Sequence, residues 1–544
     1  MIIATSAAGS ATHTESIEVK DILVVALGDS YSSGEGNREV MAGANDDDVG
    51  GWATIGTSEV TTDDMLRNRQ HALSHRSSAA HTARLALELE QSDPHTSVTF
   101  VFLAASGGTI REGGIGPYNG REDVMQAGGQ PLPPQVDQLN EIVGNQQVDV
   151  MTLSFGGNDV GFSRVVTALL SFDNADASEL NLIQQAMATG TQPRWEELNS
   201  ELHPLIDIDT SEIAGFDDLA DDYARLNREI NGLAHRPANI FITQYPDPMS
   251  DGPNPDDVCD MAMDDILPNA SSGVLSGEID EAELRWVREN FLNRVNEFVE
   301  QAARDNGWIF VDGLDEAFRG NGICQPDGIR YIRTATGSQD LQGPRGDWAD
   351  TVGTLHPSDA AHAATANILR EFVEPALQDR SPLIILPDLL GSIPKDAAAH
   401  ETWLTHLGHR PGFGVAPDQL ELFEPIYGSL VKTLEPAGYK EGVDLFVVPY
   451  DWRLPIAEPD VDESDDAAER AALLGGKLTE VTKGELITDD FLEYGIDYLG
   501  QVLRQVAIRK SLTSRDDAGA RSVPALVDVI GHGAGGLISR LFVE

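Results

Sequence analysis

The chain is poor in cysteine, in lysine and in long apolar runs. Its 544 residues include two cysteines, Cys259 and Cys324, which allow at most one internal disulfide and no four-cysteine zinc site. Seven of the 37 basic residues are lysine. No apolar run approaches the roughly 18 residues that cross a bilayer. Residues 1–20 have neither the basic segment nor the apolar core of a signal peptide. The sequence therefore predicts no transmembrane segment and contains no recognisable secretory leader.

Acidic residues, in contrast, are abundant along the whole chain. Asp and Glu number 89 and the formal net charge is −52, while 41% of the residues are hydrophobic and can fill a core. No basic stripe exists to neutralise phosphates, so we do not expect a nucleic-acid or anionic-membrane partner. Dissolved salt screens the self-repulsion of such a surface. The composition predicts a halophilic or marine protein, and the alternative is an ordinary acidic secreted protein.

Short apolar runs alternate with helical patterns over the first two thirds of the chain. This order is typical of a doubly wound α/β domain, in which sites lie at the carboxyl ends of parallel strands. The longest helical pattern covers residues 281–307 and ends at a glycine. Residues 162–237 exceed what one crossover helix needs, and we expect a helical insertion there that roofs the site. The predicted strands lie within residues 21–29, 97–106, 148–157, 238–246 and 307–314.

The strand pattern restarts after a short linker at residues 376–381. We therefore predict an N-terminal tail at 1–20, a first α/β domain at 21–375 and a second domain at 381–544. The second domain contains the apolar runs of PLIILPDLLGS, GVDLFVVPYDWR and ALVDVIGHGAGGLISRLF. Both parts of the chain are acidic, because residues 381–544 contain 27 acidic and 14 basic residues.

Residues suited to acyl transfer follow the predicted strands of the first domain. Ser30 lies in the glycine-flanked turn GDSYSSGEG at residues 28–36, where a helix N-terminus favours negative charge. Gly107 follows the second strand in AASGG, and Asn158 follows the third in FGGND. His356 precedes a proline and a helix in TLHPSDAAHAATANIL. Each residue alone has an ordinary structural explanation in a turn or core, but the four together indicate a catalytic site.

The ordered blocks GDSY, ASGG, GGNDVGF and HPSDAAH resemble the GDSL, or SGNH, hydrolase family of esterases and lipases. The resemblance covers residues 21–375 and implies a three-layer, flavodoxin-like α/β fold. It implies Ser30 as the nucleophile and His356 as the general base. The backbone amides of Ser30 and Gly107 and the side-chain amide of Asn158 would form the oxyanion hole. Neither a metal nor another cofactor is implied.

Two positions depart from the family pattern. The family usually has an aspartate three residues before the histidine, where this chain has Gly353. The acceptor that orients His356 is then Asp350, Asp347 or a backbone carbonyl of the 353–354 turn, and we favour the carbonyl. The second departure is Ala105, which replaces a cysteine of many relatives. If Cys259 and Cys324 pair, the pair indicates export to an extracellular or cell-surface location.

The second domain resembles the α/β-hydrolases related to lecithin:cholesterol acyltransferase, but its nucleophile is missing. Residues 531–535 read GHGAG, with Gly533 where the nucleophile elbow Gly-x-Ser-x-Gly needs serine. The chain also ends at Glu544, before an acid or histidine of that fold occurs. We therefore expect an incomplete and inactive module. It is either part of a longer protein or a degenerate module that docks on the first domain.

The function expected from these motifs is hydrolysis of carboxylic or lipid esters through an acyl-enzyme on Ser30. One alternative with the same mechanism is a carbohydrate O-deacetylase. Another is a noncatalytic cell-surface or binding protein built from degenerate hydrolase domains. The four intact motif residues favour an enzyme, whereas Gly353 and Gly533 keep the binding protein as an alternative.

The acidic composition leads to a test of salt dependence. We expect the free energy of unfolding to rise between dilute buffer and molar NaCl, because added ions screen the repulsion between carboxylates. Denaturant titrations at several NaCl concentrations measure this change. A free energy of unfolding that stays constant across the series contradicts the halophilic interpretation.

Overall fold

The structure is a computed structural model of the chain. It describes residues 2–6, 9–13, 19–37, 73–120, 131–172, 175–202, 208–254, 257–258, 279–342, 344–345, 348–349, 352–378, 381–405, 414–456, 492, 494–509, 513–515, 521–524 and 527–543. The chain divides into two compact units. The first comprises residues 1–237, 241–299 and 312–369, and the second comprises 238–240, 300–311 and 370–544. The domain limits proposed from the sequence stay a prediction.

A five-stranded parallel sheet carries the candidate site. Its strands in chain order are β1 (Lys20–Gly28), β2 (Thr96–Phe102), β3 (Val150–Ser154), β4 (Asn239–Thr243) and β5 (Ile309–Val311). Their order across the sheet is β2-β1-β3-β4-β5. The doubly wound α/β prediction is confirmed. Strands β2 to β5 are shorter than the apolar runs that predict them, because the chain turns away at the carboxyl end of each strand to form the loops of the site.

The central strands are apolar because both faces of the sheet are covered. Every residue of β1 from Ile22 to Gly28 is buried, as is every residue of β3. Strand β1 pairs in parallel with both β2 and β3, and Gly28 lies opposite Ser154 in this register. Buried parallel strands provide a rigid base for the loops that follow them. The carboxyl ends of β1 and β3 are therefore held side by side.

Helices lie between these five strands and after the last of them along the chain. The helices are α1 (Ser30–Ser33), α2 (His81–Ser92), α3 (Gln135–Val143), α4 (Phe162–Ser171), α5 (Ala177–Thr189), α6 (Gln192–Glu201), α7 (Gly215–Asn231), α8 (Glu281–Val287), α9 (Asn293–Asn306), α10 (Leu314–Phe318), α11 (Ala335–Gln342) and α12 (Asp359–Ala376). Two antiparallel strand pairs lie outside the sheet, Ile2–Ser6 with Gly9–His13 and Pro344–Arg345 with Trp348–Ala349. Helices α4 to α7 occupy the stretch that the sequence assigns to an insertion.

The long helix predicted over residues 281–307 is interrupted by a π-helical turn. Helix α8 passes through the π turn Arg288–Leu292 into α9. The π turn inserts one residue into the helical repeat, which hydrophobic spacing alone does not reveal. The predicted end is present, because Gly307 adopts the left-handed conformation, with φ +68°, directly after α9.

The second unit contains a separate parallel sheet of three strands. They are β6 (Leu383–Leu386), β9 (Leu445–Val447) and β10 (Asp528–Gly531), in the order β9-β6-β10. Strand β7 (Ser392–Pro394) pairs antiparallel with β8 (Leu420–Leu422), and Thr513–Arg515 pairs antiparallel with Arg521–Pro524. The helices of eight or more residues here are α14 (Glu424–Leu434), α15 (Gly495–Arg509) and α16 (Ala534–Val543), and a shorter helix, α13, covers His400–Thr405. Docking of this module on the first domain stays a prediction.

Three further observations bear on the sequence-based expectations. Within the ranges given above, no helix is long and apolar enough to cross a membrane. Cys324 is disulfide-bonded, while Cys259 lies outside the described residues. Among the described side chains, no group of three or more His, Cys, Asp or Glu residues is arranged to hold a metal ion.

Candidate active site

The turn that presents Ser30 depends on a glycine at the end of β1. Gly28 has φ +150°, and a Cβ atom there would lie 2.7 Å from the carbonyl oxygen of Ser154. A side chain is therefore excluded by the neighbouring strand. Gln135 of α3 binds both backbone polar groups of Gly28. The Gly28 N–H donates to Oε1 at 2.8 Å, and Nε2 donates to the Gly28 carbonyl at 2.9 Å.

Asp29 caps the short helix α1, whose first residue is Ser30. The Asp29 carboxylate accepts hydrogen bonds from the Tyr31 backbone N–H at 3.0 Å and from the Ser154 hydroxyl at 3.0 Å. It also accepts one from the Tyr245 hydroxyl at 2.5 Å. Burial raises the pKa of Asp29 to about 6, and these hydrogen bonds oppose the rise by stabilising the charged form. Ser30 itself is buried, with 6% of its surface exposed.

Asn158, the expected oxyanion donor, lines the same cavity as Ser30. Its Nδ2 donates to the carbonyl of Gly108 at 3.2 Å, which links the turn after β3 to the loop after β2. Gly107, the other expected donor of that loop, has φ +78°. Gly107 is not one of the residues that line the cavity. The structure therefore brings Ser30 and Asn158 together, and the loop of Gly107 adjoins Asn158 through Gly108.

Asp159 makes a second connection between these two loops. Its carboxylate accepts hydrogen bonds from the backbone N–H of Ile110 at 2.8 Å and of Gly156 at 3.1 Å. Burial raises the pKa of Asp159 to about 7, and the two backbone donors oppose the rise. The sequence motif contains this aspartate, but its role in joining the loops is visible only in the structure.

The loop of His356 is held against helix α1 by contacts that span more than 300 residues of sequence. The Tyr31 hydroxyl donates to the carbonyl of Leu355 at 2.9 Å, and Asn37 Nδ2 donates to the carbonyl of Pro357 at 2.9 Å. The rings of Tyr31 and His356 lie 5.3 Å apart. Leu355 has φ +64°, a strained conformation for a branched residue, directly before the histidine. These contacts bring the loop of His356 to the residue that follows Ser30.

A backbone carbonyl lies beside the histidine ring. His356 Nδ1 is 3.0 Å from the carbonyl oxygen of Thr354. A carbonyl can only accept, so Nδ1 donates, and in the neutral ring Nε2 is left unprotonated. Asp350 and Asp347, the acidic alternatives, lie outside the described residues. The carbonyl favoured from the sequence thus has its acceptor atom in place.

Beside Ser30 lies a cavity that is partly open to solvent. One end is polar and is formed by Asp29, Ser30, Tyr31, Asn158 and Tyr245. Helix α4, the loop after β4 and the helix containing the π turn supply an apolar wall. Its residues are Phe162, Val166, Leu169, Pro246, Pro248, Met249, Ile279, Leu284, Val287, Phe291, Leu292 and Val295, and Gly157 and Leu355 complete the lining. Such a cavity accommodates an apolar chain attached to a polar reacting group.

The elbow position of the second unit is filled by a carboxylate. Gly533 has φ +56°, and a Cβ atom there would lie 2.1 Å from atoms of the Asp388 carboxyl group. Asp388 accepts hydrogen bonds from the backbone N–H of Leu389 and of Ala534, both at 2.8 Å. These backbone hydrogen bonds lower the pKa of Asp388. The Asp388 carboxyl group thus occupies the space that a side chain at position 533 would take.

The sequence-based reasoning missed several residues that build the first site. Tyr31 lies within the GDSYSSGEG motif, Asn37 directly follows it and Gln135 begins α3, but no spacing signalled their contacts. Tyr245 lies near the end of the fourth predicted run, in ITQYP, and this position at a strand end is the signal that identifies it as a site residue.

No family model and no curated protein matches the chain, but several solved structures are similar to it. The extracellular lipase of Streptomyces rimosus is 16% identical, with a TM-score of 0.33, and the match covers 64% of this chain and 98% of that one. Phospholipase A1 of Streptomyces albidoflavus NA297 is 18% identical, with a TM-score of 0.31 and coverage of 64% and 97%. An acetyl xylan esterase variant of Geobacillus stearothermophilus is 14% identical, with a TM-score of 0.28 and coverage of 65% and 94%.

The position of Thr354 leads to a test of how His356 is oriented. We expect Asp350→Asn to leave kcat within about tenfold of the wild type, because a backbone carbonyl holds the Nδ1 proton. His356→Gln is the control and should lower kcat by about 10³-fold or more. Steady-state kinetics on a chromogenic ester measure both. A loss near 10⁴-fold in Asp350→Asn identifies that carboxylate as the orienting group instead.

The occupied elbow leads to a test on the second unit. We expect Gly533→Ser, made together with Ser30→Ala, to show no esterase activity, because the new Cβ displaces the Asp388 carboxylate from its hydrogen bonds. Gly533→Ala is the matched control, since it adds the same Cβ at the same positive φ. Both changes should lower the melting temperature to a similar extent. Esterase turnover in the Gly533→Ser, Ser30→Ala protein contradicts the inactive interpretation.

Proposed function

We propose that this chain is a serine esterase that hydrolyses carboxylic esters through an acyl-enzyme on Ser30. The observation that carries the proposal is the cavity whose polar end contains Ser30 and Asn158 and whose remaining wall is apolar. The N-terminus of α1 adds support, because the backbone amides of a helix start favour the negative charge of an oxyanion.

In the proposed mechanism, His356 acts first as base and then as acid. Ser30 Oγ attacks the ester carbonyl while Nε2 of His356 takes its proton, and the Thr354 carbonyl keeps Nδ1 protonated. The amides of Ser30 and Gly107 and the side chain of Asn158 donate to the developing oxyanion. Collapse expels the alcohol, which takes the proton from His356. Water, activated by the same histidine, then releases the acid and restores Ser30.

The apolar wall favours esters with acyl chains longer than acetyl. The wall includes Val166, Leu169 and Leu292, and an acetyl group has a single methyl to bury against such residues. Each further methylene buried there contributes about 0.8 kcal/mol of binding free energy. The proposed substrates are therefore medium- or long-chain esters, including lipid esters, rather than acetylated carbohydrates.

We place this activity outside the cytosol. A disulfide at Cys324 supports that location, because disulfides rarely persist in reducing compartments. The net charge of −52 supports a medium rich in salt. Neither observation bears on the reaction itself.

Chain-length kinetics test the proposed function. With p-nitrophenyl acetate, butyrate, octanoate and palmitate, we expect kcat/KM for butyrate to exceed that for acetate by about tenfold, since two methylenes contribute about 1.6 kcal/mol. Ser30→Ala should abolish turnover of each ester. Activity confined to acetate and acetylated glycans favours the O-deacetylase. Absence of Ser30-dependent turnover at both low and high salt favours the binding protein.

A substitution in the wall of the cavity makes this experiment specific. Val166→Trp reduces the space beside α4 and should lower kcat/KM for octanoate at least tenfold, while kcat/KM for acetate changes little. The matched control is Thr167→Trp, one residue further along the same helix and outside the cavity lining. Equal losses for acetate and octanoate in Val166→Trp contradict an acyl chain in this cavity.

A further inference from the structure

Tyr245 occupies a position that the proposed mechanism does not use. It follows β4 and is buried, with 6% of its surface exposed. Its ring lines the cavity beside Ser30 and packs edge-on against Tyr31 at 5.4 Å. Burial in the first place, and the nearby Asp29 in the second, raise the pKa of Tyr245 well above its usual range. The hydroxyl is therefore a neutral group that both donates and accepts.

That hydroxyl joins the two turns on which the proposed chemistry depends. It donates to Asp29 Oδ2 at 2.5 Å, and Asp29 caps the helix that begins with Ser30. It accepts from the backbone N–H of Gly157 at 3.2 Å, and Gly157 directly precedes Asn158. A single oxygen atom is thus hydrogen-bonded to both the nucleophile turn and the oxyanion turn.

The backbone of Tyr245 is itself held by the helix that forms one wall of the cavity. Its N–H donates to Asn296 Oδ1 at 2.9 Å, and Asn296 Nδ2 donates to its carbonyl at 2.9 Å. Asn296 belongs to α9, directly after Val295 of the cavity wall. The loop makes a second contact two residues after Tyr245, where Asp247 forms an ion pair with Arg288 of the π turn at 2.6 Å. The phenol oxygen is therefore fixed by α9 and the π turn before any substrate binds.

We propose that Tyr245 is a positioning residue that keeps the turn of Ser30 and the turn of Asn158 at the separation required for acyl transfer. The inference rests on the proposed function and adds a residue to it. Tyr245 acts through Asp29 and Gly157 rather than on the substrate. A nucleophile displaced by about 1 Å relative to its oxyanion donors costs about 10²-fold in rate. The hydroxyl therefore affects kcat, while the apolar wall affects KM.

The charge state of Asp29 provides a readout that a purely structural role would not change. As a carboxylate, Asp29 accepts hydrogen bonds from Tyr245, Ser154 and the α1 backbone, and the bond from Tyr245 is the largest contribution that lowers its pKa from the value set by burial. Removing the phenol hydroxyl raises that pKa above about 6. Asp29 then takes up a proton at a higher pH, so the contribution that Asp29 makes to the acidic limb of the kcat profile, beside that of the base His356, moves to higher pH.

The test is Tyr245→Phe, which keeps the ring and removes only the hydroxyl. We expect kcat to fall about 10- to 100-fold with KM within about threefold, and the acidic limb to move to higher pH. The concentration of active sites is measured by titration with a fluorophosphonate, and kcat is calculated from that concentration. Unfolded protein then does not lower the measured kcat. Tyr498→Phe is the matched control, because it removes a buried hydroxyl that donates to the Val415 carbonyl in the second unit. It should leave kcat and the pH profile unchanged.

A double-mutant cycle with Asp29→Asn completes the experiment. The amide does not titrate, so Asp29→Asn should remove the shift of the acidic limb, and adding Tyr245→Phe should change kcat less than it does in the wild type. If Tyr245→Phe keeps wild-type kcat and pH profile while Ser30→Ala is inactive, the positioning role is wrong and the esterase stands. If the wild type itself shows no Ser30-dependent turnover, the proposed function fails and the positioning role with it.

Discussion

Three hydrogen bonds to the buried carboxylate of Asp29 hold the candidate site together. The donors are the backbone of Tyr31 in α1, the hydroxyl of Ser154 at the end of β3 and the hydroxyl of Tyr245 after β4. An ionised carboxylate is costly to bury unless its oxygens are satisfied. The segments that supply the donors therefore meet at Asp29, and Ser30 directly follows Asp29 in the chain. The placement of Ser30, the proposed nucleophile, depends on this constraint.

The parallel sheet holds the ends of these segments close to one another. Because β1 and β3 are buried neighbours that run in the same direction, Gly28 and Ser154 lie side by side at their ends. A side chain at position 28 would clash with the backbone of Ser154, so only glycine fits there. The loops after β2 and β3 are then joined by Asn158 and Asp159. The sheet provides the rigid platform, and the longer excursions of the chain, in α4 and around the π turn, provide the apolar cavity.

In each unit an aspartate accepts a backbone hydrogen bond at the start of a helix, but the space beside the turn differs. In the first, Asp29 caps a helix and leaves the following serine on the cavity wall. In the second, Asp388 binds the N–H of Ala534 at the start of α16 and occupies the space where a side chain at position 533 would lie. Both carboxylates are stabilised by backbone N–H groups at the start of a helix. The position of the aspartate relative to the turn decides whether space for a nucleophile remains.

The sequence alone determined the elements that depend on local pattern. Apolar runs and helical spacing located the five strands, their parallel doubly wound arrangement and the helices between them. These features depend on the hydrophobic pattern of residues that are neighbours in sequence. The ordered motifs also singled out Ser30, Asn158 and His356, since a parallel sheet collects the loops that follow its strands. Gly533, at the position where the resemblance of the second domain calls for serine, was visible in the sequence in the same way.

Tertiary structure decided everything that depends on contacts between distant segments. The link from Tyr31 to Leu355, the Thr354 carbonyl beside His356 and the bonds of the Tyr245 hydroxyl to Asp29 and Gly157 leave no periodic trace in the chain. The π turn and the apolar cavity belong to the same class, because the cavity is the space left between helices and loops of several segments. Local preference selects the elements, whereas the satisfaction of buried polar groups by distant partners selects how they meet.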